Sequence, residues 1–141
     1  MHVNVEFLTH IKMKHIRLIF TALAMLITTL VFSAIPPKVF DAMKVGNSTE
    51  LSKYFNNSVE VAILETEAVY SRQQAEQVVK NFFDKNSPKN FTLLHQGGKS
   101  EAQYAIGTLE ITNGKKFRVY FLVKEQSGTP LIHQLRIEEE Q

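Results

Sequence analysis

Apolar residues in this chain recur first at helical spacing and later at strand spacing, and the switch falls near residue 88. An apolar run covers residues 18–32, and Pro36-Pro37 then suits the first turn of a helix, where a missing N–H costs nothing. Val39, Phe40 and Met43 share one face of that helix, and Gly46-Asn47 supplies a left-handed stop. A second short helix is capped by Asn47 or Ser48, with Glu50 in its first turn and Leu51, Tyr54 and Phe55 in one stripe. The β-branched and apolar stretch 59–70 reads as one long strand. Ser71-Arg72-Gln73-Gln74 is a capping box, and Ala75, Val78, Val79, Phe82 and Phe83 follow as one apolar stripe until Asn86-Ser87-Pro88.

Beyond that point the period is two. Residues 91–96, 103–112, 115–124 and 132–138 read as strands, with turns at Gly97-Gly98, Asn113-Gly114 and 126–130. The expected class is α+β: two short helices, a strand, a long helix, then an antiparallel meander. If Asn113-Gly114 is a two-residue turn, Thr112 opposes Lys115 and the faces follow. Tyr104 and Ile106 then join Phe117, Val119 and Phe121 under the long helix. Leu109, Ile111, Tyr120, Leu122 and Arg118 lie on the outer face, an apolar surface open to a second copy or a protein partner. Gly107, opposite Tyr120, marks a bend covered by an aromatic ring.

Charge changes the picture only once it is divided. Of 16 Lys+Arg and 14 Asp+Glu, Lys12, Lys14, Arg17 and Glu6 lie in residues 1–33, leaving a formally neutral body. Such a body carries no electrostatic footprint for nucleic acid. The basic segment before the apolar run, followed by Val31-Phe32-Ser33, reads as a signal peptide cleaved after Ser33 or, as second choice, Ala34. The domains are therefore a leader, residues 1–33, and one domain, residues 34–141, working in the periplasm or outside the cell. Met13 is an alternative start, which would leave residues 1–12 untranslated. The apolar run is short of the ~20 residues of a membrane span, so an uncleaved inner-membrane anchor is the lesser alternative. With no Cys, the chain has neither a lipid attachment point of that type nor a disulfide, and core packing must hold the domain.

Val69-Tyr70-Ser71-Arg72-Gln73-Gln74-Ala75-Glu76-Gln77, Tyr104-Ala105-Ile106-Gly107-Thr108-Leu109, Phe117-Arg118-Val119-Tyr120-Phe121 and Gln134-Leu135-Arg136-Ile137-Glu138 resemble a family of exported Bacteroidetes-type proteins known as domain of unknown function 4783. The element order resembles the cone-shaped superfamily of nuclear transport factor two and ketosteroid isomerase. The resemblance implies a bent antiparallel sheet wrapped on a long helix, and an exported protein. It implies no activity, because that superfamily holds enzymes and binding modules alike.

Few residues beyond residue 33 carry distinctive chemistry. His95 shares a strand face with Phe91 and Leu93, and His133 with Leu131, Leu135 and Ile137, so both are expected to point into the cone beside Tyr104. Glu65 and Glu67 lie two apart on one face, the geometry of a carboxylate pair. These five are the candidate pocket residues, with a small apolar molecule as ligand. Their spacing matches no compact metal motif, and no catalytic residue, metal or cofactor is assigned. Glu138-Glu139-Glu140 reads as a solvated tail. The function expected is a non-enzymatic exported binding or interaction domain. A small enzyme of isomerase, dehydratase or hydrolase type, with its site in the cone, is the alternative.

Overall fold

A computed structural model describes Met13 and residues 34–141, and the readings made on the leader lie outside the described residues. Within residues 34–141 two short helices come first, α1 (Pro37–Val45) and α2 (Ser48–Ser52). Proline in the first turn and Gly46 at φ +68° bound α1, and Asn47 caps α2 by accepting from the Glu50 amide at 3.0 Å. Strands β1 (Phe55–Ile63) and β2 (Thr66–Ser71) precede the long helix α3 (Arg72–Lys85). A meander follows: β3 (Pro88–Lys99), β4 (Ala102–Ile111), β5 (Lys116–Gln126) and β6 (Thr129–Glu139).

The six strands form one sheet in the order β2-β1-β6-β5-β4-β3, antiparallel throughout except for the parallel pair β1 and β6. The three helices of residues 34–141 contribute to one core against the same face. Val39 and Met43 of α1, Leu51 of α2, and Ala75, Val79 and Phe82 of α3 meet Val119, Phe121, Leu135 and Val61 of the sheet. Phe82 stands edge-on to Phe117 at 5.2 Å between ring centroids. The class is α+β, as the order of patterns implies.

Four expectations fail, each through backbone geometry. The second helix ends at Ser52, so Tyr54 and Phe55 do not continue its stripe and Phe55 opens β1. Residues 59–70 are two strands, because Leu64-Glu65 turns the chain with Leu64 at φ +54° and without any glycine, asparagine or proline to announce it. The Gly97-Gly98 pair lies inside β3, and the turn falls at Ser100-Glu101. The Asn113-Gly114 hairpin has a three-residue loop, closed by the Ile111 amide donating to the Lys115 carbonyl at 3.0 Å. Gly114, at φ +89°, donates to the Ile111 carbonyl at 2.9 Å, so the glycine takes the left-handed position of a three-residue hairpin loop.

That extra residue slides β4 by one against β5, so Tyr104 opposes Leu122 and Leu109 opposes Phe117. A one-residue slip sends every side chain of a strand to the other face. Leu109 and Ile111 are therefore buried in the core, and Tyr104 and Ile106 stand outside. Gly107 opposes Val119, not Tyr120.

Candidate functional site

The corrected register assembles a different outer surface from the one the sequence suggested. Tyr120 and Leu122 remain on it, joined by Tyr104 and Ile106 in place of Leu109 and Ile111. Tyr104 and Tyr120 are diagonal neighbours whose rings stack at 6.4 Å and 19°. The Tyr104 ring also lies over Gly97, whose missing side chain leaves room for it.

His95 reaches this surface through a bulge. The β3–β4 register shifts between Leu93 and His95, with Leu93 opposite Gly107 and His95 opposite Ile106. A bulge re-aims the side chains that follow it. His95 thus leaves the face of Phe91 and Leu93, and its Nε2 lies 2.9 Å from the Tyr104 hydroxyl. The pair is exposed to solvent, not enclosed in the cone.

His133 is not part of this group. It sits in β6 where the register shifts on both sides, between Leu122 and Val123 of β5 and between Phe55 and Glu60 of β1. The double irregularity breaks the alternation that would have placed His133 beside Leu135 and Ile137. Its Nε2 is buried and has no hydrogen-bond partner among the described residues. Burial of the imidazole, and secondly the positive charge of Lys124, push its pKa below the ordinary histidine value.

Nor do the two carboxylates form a pair in a cleft. Glu65 lies on the β1–β2 turn, beside Leu64 and the acidic end of the chain in an open cleft of about 600 Å³. Glu67 accepts from Arg136 Nη2 at 3.3 Å across the outer face, and Glu138 lies 3.5 Å from Nη1 of the same guanidinium. Gln134 donates to Glu60 on the neighbouring strand. Among the described residues the only buried polar or charged side chains are Ser48 and Ser52, so no carboxylate lies in the core. No group of three His, Cys, Asp or Glu side chains among them is placed to hold a metal ion.

No described helix covers the outer face, because α1 packs on β3 and α3 on β1 and β2 from the core side. The face offers a half-buried apolar centre, Tyr104, Ile106, Tyr120 and Leu122, rimmed by charges of both signs. An arrangement of this kind can bind a complementary surface. The hydroxyl–imidazole pair of Tyr104 and His95 on it is open to solvent, and the face encloses no acid–base pair.

Comparison with known proteins agrees with the sequence resemblance. A protein of this type from Bacteroides ovatus is 38% identical, with 76% of this chain and 96% of that chain covered and a TM-score of 0.72. One from Bacteroides fragilis is 34% identical over 76% of this chain and 100% of that chain, also at 0.72. More distantly, an NTF2-like protein of unknown function from Shewanella baltica shares the fold at 14% identity, covering 74% of this chain and 87% of that chain at a TM-score of 0.59. No curated protein matches the chain. The family described as Domain of unknown function (DUF4783) matches residues 36–138, and both Bacteroides proteins carry that family's name, so this chain belongs to it.

Proposed function

We propose that this protein is an exported, non-enzymatic interaction module whose working surface is the outer face of its sheet. The observation that carries the reading is the uncovered apolar centre around stacked Tyr104 and Tyr120, on a face that no described element packs against. Single exposed apolar side chains are ordinary on a protein surface, but a contiguous rimmed patch marks a contact site. Against the enzyme alternative stands the core itself. Phe121, Leu135, Val119 and Leu109 fill the core side of the sheet, while His95 and Tyr104 lie outside it.

The test is photo-cross-linking in the producing cell, with p-benzoylphenylalanine replacing Tyr120 in one strain and exposed Gln73 of α3 in another. Specific adducts are expected from the sheet position and none from the helix. Equal adducts from both positions, or none from either, would overturn the reading.

A further inference from the structure

The two edges of the sheet are finished differently. At one of them β3 begins with Pro88, which has no N–H to offer, shifts register between Leu93 and His95, and holds Gly98 at φ +117°. Proline, a bulge and lysines, here Lys89 and Lys99, are the means by which an edge strand refuses a further strand. The other edge, β2, has none of them. Its six residues pair with β1 without a register shift, and no described strand covers its free side. Every second residue of such a strand turns its N–H and C=O away from the sheet. Val69 in this strand and Leu64 just before it are 67% and 50% exposed.

Helix α3 flanks this edge on the core side. It runs back from the end of β2, so its last turn returns to the level of Leu64 and Thr66, where β2 begins. Thr66, Ala68 and Tyr70 face the helix side, because Tyr70 opposes the buried Val59 and strand residues alternate. Between the helix and the start of the strand lies an open groove of about 250 Å³, whose lining includes Ile63, Leu64, Thr66, Val78 and Phe82. Lys85 is the one charged residue of that lining, and it forms no ion pair among the described residues.

We propose that β2 and this groove receive an extended segment of another protein, added as a seventh strand, with an apolar side chain in the groove and an acidic one against Lys85. The six residues of β2 present about 20 Å of edge, enough for a segment of similar length. In strand addition the main chain supplies affinity, and pockets for alternate side chains supply specificity. The residue set beside Thr66 points to the same side as Thr66, into the groove, and there it covers Leu64 and Val78. The residue two further on shares that side and lies past the start of β2, where Lys85 stands. A carboxylate in that place complements the lysine, whereas a basic segment meets no anion in the groove. The site is independent of the outer-face centre, since β1 and β6 separate β2 from β5.

The experiment selects a phage-displayed library of random peptides against the purified protein and, in parallel, against K85E, a change at an exposed position. The wild type is expected to enrich peptides in which an apolar residue and Asp or Glu stand two residues apart, on one face of an extended chain. K85E is expected to enrich Lys or Arg in place of the acid. It should also bind a peptide selected on the wild type about fivefold more weakly, the scale of an exposed ion pair lost. A changed preference is a result that misfolding does not produce. With a selected peptide bound, amide hydrogen exchange is expected to slow within residues 66–71 and to stay unchanged in β3. No enriched peptide, the same enrichment with K85E, or protection in β3, β4 or β5 without protection in β2 overturns the proposal. Cross-linking at position 120 reports on the outer face separately, so each reading falls or stands by its own measurement.

Discussion

The ring of Phe91 occupies the space a side chain on Gly107 would need: a Cβ built there lies 2.2 Å from Phe91 Cζ and 2.7 Å from the Thr92 carbonyl oxygen. Phe91 and Gly107 belong to paired strands, and the ring continues from the glycine into the core, 5.8 Å from the Phe40 ring centroid. Gly107→Ala is expected to destabilise by about 2–3 kcal/mol, the scale of overpacking a well-packed core. In Phe91→Leu the ring is gone, and the added cost of Gly107→Ala should shrink. Urea midpoints of the four proteins in that cycle decide it; fully additive costs would show that the ring is not what excludes a side chain.

Helix α3 allows a ranking. The Ser71 hydroxyl accepts from the Gln74 amide at 3.3 Å, while the Gln74 side chain accepts from the Ser71 amide at 3.1 Å. Ser71→Ala should cost on the order of 1 kcal/mol. Phe82 is 5% exposed, and Phe82→Ala should cost roughly 3 kcal/mol or more through the cavity it leaves. Denaturant midpoints in the reverse order would mean that the cap, not the core face, anchors this helix.

His133 gives the stability a pH dependence of known sign. Its folded pKa is lowered by burial and by Lys124, so the unfolded chain takes up the proton more readily. Above the unfolded value near 6.5 the effect is absent. As pH falls below that value and on towards the lower folded one, stability is lost. His133→Gln removes the titrating group, and its urea midpoint should fall less between pH 7.5 and pH 5 than that of the wild type. Equal falls would exclude His133 as the source.

Export is tested at the N-terminus. The basic segment, the apolar run at residues 18–32 and Val31-Phe32-Ser33 predict a secreted form that begins at Ala34 or Ile35. N-terminal sequencing of protein from the periplasm or medium should read one of these. Recovery of the intact chain in the membrane fraction would replace secretion with anchoring.

Helix α3 could be read from the sequence because its cause is local: cap, apolar stripe and stop fall within about 18 residues, and each acts on its own neighbours. The same holds for α1, bounded by proline and Gly46, and for the alternation of β5, whose core residues Phe117, Val119, Phe121 and Val123 were identifiable by period alone. The segments resembling the family were legible too, and with them the fold class. Faces on β4 were not. They depended on whether the loop before Lys115 holds two residues or three, and Asn113-Gly114 is compatible with both. His95 and His133 were displaced by register shifts at Leu94 and in the middle of β6, which belong to the pairing of strands and not to any one segment. The turn at Leu64-Glu65 has no residue that favours it, and it is held by the Leu64 amide donating to the Ile137 carbonyl at 2.9 Å, far along the chain. Local chemistry thus determined which segments are helix or strand. Which side chains meet on the outer face was decided by strand register, because register is fixed by packing between distant segments and a single residue of slip reverses every face.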